Sequence, residues 1–173
     1  MFSFGSTRLA RGVFALLVVA CLSMVLLFTG CTTDDDDDGG SLNGIWKSLH
    51  DDYIINTANK TMEYENHWKG EIANAPDYSA GSGVIIIKIT WYWEVIYDQT
   101  TWEVISEGPT TAYNGKYCAV YWKDLKSKSV KMGDAYDPST WEHAMFNSLS
   151  DAQTNFTLDK TGEYIGTWGT YTK

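Results

Sequence analysis

The chain of 173 residues carries 22 acidic and 13 basic side chains, which gives it a formal net charge of −9. Both arginines, Arg8 and Arg11, lie near the amino terminus, so the residues from 31 onward hold 11 lysines against all 22 acids. With no basic patch to displace counterions from phosphates, the composition excludes nucleic-acid binding. All eight tryptophans and all eleven tyrosines follow residue 45, and such an aromatic loading favours β-structure in the body of the chain.

The first 30 residues have the layout of a secretory signal peptide. Arg8 and Arg11 precede an apolar run from Gly12 to Phe28, and small residues follow it. The run has 17 residues, fewer than the about 20 that span a bilayer. We therefore predict a signal peptide over residues 1–30, cleaved after Gly30. A permanent transmembrane helix is the alternative, because two arginines would also orient such an anchor.

A lone cysteine ends this leader. The residues Phe28-Thr29-Gly30-Cys31 resemble the lipobox of bacterial lipoproteins, in the relaxed form of spirochaete sequences that lack leucine three places before the cysteine. The resemblance implies that Cys31 becomes the acylated first residue of the mature protein. More than one acyl chain anchors a protein stably, so the predicted partner is the lipid bilayer. The predicted location is the outer membrane or the cell surface, with the periplasmic face as the alternative.

Residues 31–41 are predicted to form an acidic flexible tether. The five aspartates from Asp34 to Asp38 cannot pair with one another, and two glycines and a serine follow them. Asp34, Asp36 and Asp38 also match the opening of a calcium-binding EF-hand loop, but Ile45 stands where that loop needs a bidentate glutamate. We therefore predict no metal site here and no cofactor elsewhere.

The chain from residue 42 to residue 173 is predicted to be a single all-β domain. Short runs typical of half-buried strands occur at 44–50, 53–56, 61–66, 68–73, 129–132 and 164–171. A longer run over 83–97 alternates, with its odd positions apolar or aromatic, and its length predicts a bend or bulge near the middle. Eight to ten antiparallel strands, each with one apolar face, point to a closed barrel or a sandwich.

Two hairpins are predicted within this pattern. A turn at Gln99 and Thr100 would place Tyr97 opposite Trp102 and Val95 opposite Val104. The pair Asn114-Gly115 is typical of a two-residue hairpin turn and would join a strand at 110–113 to one at 116–123.

One short helix is predicted in the C-terminal half. Ser139 and Glu142 have the spacing of a capping box, and the side chains that would then share an apolar face are Trp141, Ala144, Met145 and Leu149. The helix would pack against the barrel wall or cover one end of the barrel. A polar turn is predicted between Leu158 and Tyr164.

The first strand contains Gly44-Ile45-Trp46, which resembles the G-x-W signature of lipocalins. The whole domain is similar to small lipocalin-like lipoproteins of spirochaetes. The resemblance implies a lipocalin or calycin-like barrel with Gly44 and Trp46 at its base, and the second G-x-W, which ends at Trp168, as their neighbour. Lipocalins place a late arginine over this tryptophan; here only Lys173 is basic after Lys160.

No motif for catalysis is visible, so the sequence predicts a non-enzymatic protein. His50, His67 and His143 lack the spacing of a metal site and are predicted to be ordinary surface or rim histidines. Cys118 is the single cysteine after Cys31 and is predicted to be a buried thiol. A glycosidase would need two carboxylates in one cleft, and the sequence does not reveal such a pair.

Two functional hypotheses follow. In the first, the barrel binds a small apolar ligand in its mouth. In the second, the protein is a surface interaction protein or adhesin that binds a host or envelope protein or glycan through aromatic side chains and through loops such as 75–82. The aromatic residues predicted to contact a ligand or a partner are Trp91, Trp93, Trp102, Tyr117, Tyr121 and Trp122.

Overall fold

A computed structural model describes residues 40–98, 100–140 and 142–173. The predicted signal peptide, Cys31, the aspartate run, Gln99 and Trp141 lie outside these residues. The strands are β1 (Gly44–Lys47), β2 (Asp52–Asn56), β3 (Thr61–Tyr64), β4 (Trp68–Ile72), β5 (Gly83–Tyr97), β6 (Val104–Thr110), β7 (Tyr117–Lys123), β8 (Ser129–Asp134) and β9 (Gly169–Thr172). The described part of the chain contains no helix that is both long and apolar enough to cross a bilayer.

Eight antiparallel strands close into a barrel, which confirms the predicted fold class. Their order around the barrel is β1-β2-β3-β4-β5-β7-β8-β9, and β9 returns to β1 through the pair Lys47–Thr172. The ninth strand, β6, pairs only with the upper half of β5, from Tyr92 to Tyr97. The β5–β6 hairpin therefore extends beyond the barrel wall.

A bulge in the middle of β5 confirms the predicted irregularity. Lys69 pairs with Trp91 but the next residue, Gly70, pairs with Ile89, so Thr90 is an extra residue whose hydroxyl donates to the Lys69 carbonyl at 3.2 Å. Such an insertion exchanges the two faces of a strand. Ile85, Ile87 and Ile89 face the interior below the bulge, whereas above it the even-numbered Tyr92 packs against the same core.

Both predicted hairpins differ from the structure. Tyr97 pairs with Val104, Ile96 with Ser106 and Val95 with Glu107, so the register is shifted from the predicted one. The turn at Asn114-Gly115 does not reverse a hairpin, because β6 and β7 do not pair but follow one another along the same edge of β5. Only Gly115 in this turn has a positive φ, of 84°, whereas a type I′ turn needs two such residues.

The barrel interior is a packed core. Its fully buried large side chains include three tryptophans, Trp46, Trp68 and Trp122, together with Tyr53. A second apolar cluster lies on the outer face of β5 and β7, where Ile86 and Tyr121 are covered by the chain that follows β8. These two layers give residues 40–173 a complete core of their own.

The helix begins nine residues later than predicted. Ser148, not Ser139, caps helix α1 (Leu149–Asn155), and its hydroxyl accepts from the Asp151 N–H at 3.1 Å. Ser139 instead closes a turn on the Asp137 carboxylate. The predicted polar turn after residue 158 is a 3₁₀ turn (Leu158–Lys160) followed by helix α2 (Thr161–Tyr164). This C-terminal segment packs against the barrel wall, which is one of the two placements expected for the predicted helix.

Candidate functional site

A cavity of about 700 Å³ opens at the end of the barrel where β3 ends and β4 begins. It is bounded by the β3–β4 turn, the upper half of β5, the tip of the β5–β6 hairpin and the chain after β8. Its lining residues are His67, Tyr92, Trp93, Glu94, Val95, Ile96, Tyr97, Trp102, Tyr113, Tyr136, Thr140, Glu142, His143 and Met145. We refer to it as the mouth cavity.

A row of three polar side chains forms one wall of the mouth cavity. The Tyr92 hydroxyl lies 2.7 Å from His143 Nδ1, and His143 Nε2 lies 3.5 Å from Asp134 Oδ2. The tautomer with its proton on Nε2 directs that proton at Asp134 and leaves Nδ1 to accept from Tyr92. Tyr136 stacks on the imidazole with ring centroids 4.6 Å apart, which fixes the ring between the phenol and the carboxylate.

This wall is nearly dry. The His143 side chain is 10% exposed and that of Asp134 is 5% exposed. Among the described residues, neither His143 Nε2 nor Asp134 Oδ1 has a partner within hydrogen-bond geometry. Buried polar atoms without partners are uncommon because desolvation costs about 1–3 kcal/mol. His143 Nε2 and the Asp134 carboxylate therefore face each other behind the cavity wall, at a separation too long for a good hydrogen bond.

A second histidine lies on the opposite side of the mouth. His67 Nε2 is 3.1 Å from Asp51 Oδ1, and the other oxygen of Asp51 accepts from the Tyr64 hydroxyl at 2.9 Å. The His67 and Tyr64 rings stack with centroids 4.4 Å apart. The fold thus repeats a histidine–carboxylate–tyrosine grouping on both sides of the opening.

Two glutamates complete the lining. Tyr113 donates its hydroxyl to Glu94 Oε1 at 3.1 Å, and its ring lies 4.5 Å from that of Tyr92. Burial, the hydrogen bond to Glu94 and the charges of Glu94 and Glu142 together raise the pKa of Tyr113. Both carboxylates are therefore near this phenol, while Glu142 itself is exposed.

The tyrosines around the mouth stay protonated. Burial, followed by neighbouring tyrosines and Asp134, raises the pKa of Tyr92. Burial and then the charges of Asp134 and other acids raise the pKa of Tyr136 and of Tyr64 in the same direction. Each phenol is thus a neutral hydrogen-bond donor rather than a nucleophile.

The closed end of the barrel contains two of the three residues predicted for its base. Trp46 is fully buried and its indole N–H donates to the Leu42 carbonyl at 2.7 Å. Lys173 places its Nζ 4.5 Å from the centre of the Trp46 ring system and donates to the Ser41 carbonyl at 2.7 Å. Trp168 lies elsewhere, because it packs against the outer cluster beneath the Nζ of Lys123.

The predicted ligand aromatics are divided among three places. Trp93 and Trp102 line the mouth cavity. Trp91 lies next to Trp93 on the β5 face opposite Tyr92, with Lys69 Nζ 5.8 Å from its ring. The remaining three pack into the fold: Trp122 in the barrel interior, and Tyr117 and Tyr121 in the outer cluster.

Several lining residues carried no signal in the sequence. His143 and Asp134 are brought together by an isolated bridge between Tyr136 and His143 that follows β8. Both are separated by dozens of residues from Tyr92, and no local spacing predicts their contact. The described residues include no group of three or more histidine, cysteine or acidic side chains that could hold a metal ion.

Comparison with known proteins adds no assignment. Neither the family models, nor the curated proteins, nor the solved structures contain a match to this chain.

Proposed function

We propose that this chain is a non-enzymatic bacterial lipoprotein, anchored through acylated Cys31 at the outer membrane or cell surface, whose barrel binds a small and largely apolar ligand. The observation that carries the proposal is the mouth cavity, whose volume of about 700 Å³ lies within the roughly 300–1,000 Å³ of typical ligand pockets. Aromatic walls with a few convergent polar groups are also typical of such pockets.

The closed end supports the lipocalin-like part of the proposal. Trp46 of the G-x-W sequence is buried at the base, and Lys173 occupies a position over its ring that resembles the arginine position of lipocalins. Because Trp46, Trp68 and Trp122 pack into the barrel interior, the ligand would occupy only the mouth.

Native mass spectrometry of residues 40–173, purified from the native host without detergent, tests ligand binding. We expect an added mass that is reproducible and that disappears on denaturation. Trp102→Ala should lower the occupied fraction, because Trp102 lines the cavity. Trp91→Ala is the matched control, because Trp91 is a neighbouring tryptophan of β5 that does not line the cavity. A bare chain mass that persists after incubation with envelope lipid extract would exclude the proposal.

Metabolic labelling of the full chain with a radiolabelled fatty acid tests the anchor. The wild-type protein should take up the label and lose its leader, whereas Cys31→Ser should take up no label and keep the leader. Absence of label on the wild-type protein would show that the leader is not a lipoprotein signal.

The β5–β6 hairpin supports a second candidate, the surface interaction protein. Trp102 is 75% exposed and Ile105 is 64% exposed, and β6 pairs with β5 alone. A free strand edge with exposed apolar side chains can accept an added strand from a partner. Photo-crosslinking from position 105 in intact cells tests this candidate. Leu49, an exposed apolar residue on the β1–β2 turn, is the control position.

A further inference from the structure

The charged groups of the mouth cavity are all of one sign. Glu94 and Glu142 are the ionised side chains among its described lining residues, and no lysine lines it. Asp51 and Asp134 lie directly behind His67 and His143. A carboxylate or phosphate on a ligand would meet this negative field without a cation to pair with, and such a charge is costly to bury. The cavity is therefore unsuited to anions.

The same cavity presents six tyrosine and tryptophan rings. They belong to Tyr92, Trp93, Tyr97, Trp102, Tyr113 and Tyr136. Faces of such rings attract cations, with about 0.5–1 kcal/mol for an exposed contact and about 2 kcal/mol or more for a desolvated one. One lysine contacts a lining ring, since Lys116 Nζ lies 4.9 Å from the centre of the Tyr113 ring. The other five lining rings have no such lysine contact among the described residues.

The buried wall is the second feature that bears on the ligand. His143 is nine-tenths buried and lines the cavity, and its Nε2 faces Asp134 Oδ2 at 3.5 Å. The Asp134 carboxylate behind it adds negative charge to a site from which water is largely excluded. Charge interactions are stronger in such surroundings than at the protein surface.

We propose that the ligand of the mouth cavity carries an organic cation, an amine or a quaternary ammonium group, on an otherwise apolar body. This inference rests on the proposed binding function and specifies its ligand class. The cationic group lies against the tyrosine rings next to Glu94 and Glu142, and the apolar body contacts Met145 and the hairpin residues.

Three probes of matched shape test the ligand class on residues 40–173. They are benzyltrimethylammonium, its uncharged carbon isostere neopentylbenzene, and the anion benzylsulfonate. Binding is followed by NMR through the indole N–H signals. We expect the cation to bind about tenfold more tightly than the isostere, since 1.4 kcal/mol corresponds to a factor of ten. The anion should not bind.

Charge-removing variants assign the effect to the cavity. Glu94→Gln with Glu142→Gln should weaken binding of the cation about fivefold, since each carboxylate supplies part of the attraction, and should leave the isostere unaffected. Gln at position 94 can still accept from Tyr113, so the fold should be preserved, which a thermal melt checks. Glu71→Gln, an exposed acid on β4, is the control and should have no effect.

Three results would overturn the inference: equal or tighter binding of the isostere, no response to the double variant, or no binding of the cation at millimolar concentration. The proposed function is judged separately by the native mass measurement. An endogenous ligand of neutral or negative charge would keep the binding function and refute the cation.

Discussion

Gly83 shows how closely single residues are fitted into this barrel. It pairs with Trp122 across β5 and β7, and a Cβ atom built on Gly83 would overlap the Trp122 indole. The indole N–H also donates to the Ala80 carbonyl at 3.3 Å. Glycine at position 83 therefore makes room for Trp122, one of the three tryptophans buried in the barrel interior.

Gly83→Ala should lower the free energy of unfolding by about 1–3 kcal/mol, the usual cost of overpacking a core. Urea denaturation of residues 40–173 measures this loss. Gly81→Ala is the matched control, because a Cβ there would meet nothing within 4 Å. Equal stability of the two variants would contradict the close approach of Gly83 and Trp122.

Cys118 is the single cysteine of residues 40–173 and lies in the barrel interior. Burial, followed by the charge of Asp134, raises the pKa of its thiol. A thiol that is both buried and protonated reacts slowly. We expect a thiol reagent to label Cys118 only under unfolding conditions, at a rate that follows the urea transition. Rapid labelling of the native protein would mean that the interior is open.

At the scale of elements, the positions of the strands could be predicted from the sequence. Which face of a strand each side chain lies on could be predicted only in part. The alternation over 83–97 predicted β5 and its irregularity, since a strand of 15 residues exceeds the usual length. The pattern could not place the bulge, because Thr90 does not differ in polarity from the other exposed positions. The odd-numbered Trp91 and Trp93 therefore lie on the opposite face from the one that alternation assigns.

The candidate site was less predictable than the strands. Trp93 and Trp102 were identified as aromatic candidates because they are large and amphipathic. His143 and Tyr136 reach the cavity through an irregular segment after β8, where the capping-box spacing of Ser139 and Glu142 suggested a helix. Asp137 offers its carboxylate to the Ser139 N–H at 2.8 Å, and this local turn forms in place of the helix.

The two halves of β5 should differ in local stability. Residues 85–89 pair within the barrel, where 87 and 88 have partners on both β4 and β7, whereas residues 94–97 pair with β6 in an exposed two-stranded ribbon. Such a ribbon is only marginally stable alone. Hydrogen exchange measured by NMR should show much stronger protection of the amides at 85–89. Uniform protection along β5 would mean that something covers the hairpin.

At the scale of the whole molecule, one end of the barrel is packed and the other is open. The packed end holds the start of β1, and a Cβ atom on Gly40 would overlap the Lys126 carbonyl near the same end. The mouth cavity and the β5–β6 hairpin lie at the opposite end. Residue 40, where the described part of the chain begins, therefore lies at the closed end.

The buried tyrosines should set the limit of stability at high pH. Burial raises the pKa values of Tyr53, Tyr64, Tyr92 and Tyr136 above the ordinary 10.0. Above that pH the unfolded chain loses these protons while the folded barrel keeps them, so the free energy of unfolding falls as pH rises. We expect cooperative unfolding above about pH 10, with a simultaneous jump in tyrosinate absorbance. Gradual ionisation without unfolding would contradict this burial.

The bulge at Thr90 also bears on how such a barrel could diversify. Because Thr90 is the extra residue, Trp91 and Tyr92 already lie opposite Lys69 and Trp68, as a regular ladder would place them. Loss of that one codon would therefore remove the bulge and leave the residues above it on their present faces. A three-nucleotide deletion at this codon would thus preserve the recognition chemistry of the mouth, whereas a deletion elsewhere in the paired part of β5 would exchange the faces of the residues beyond it.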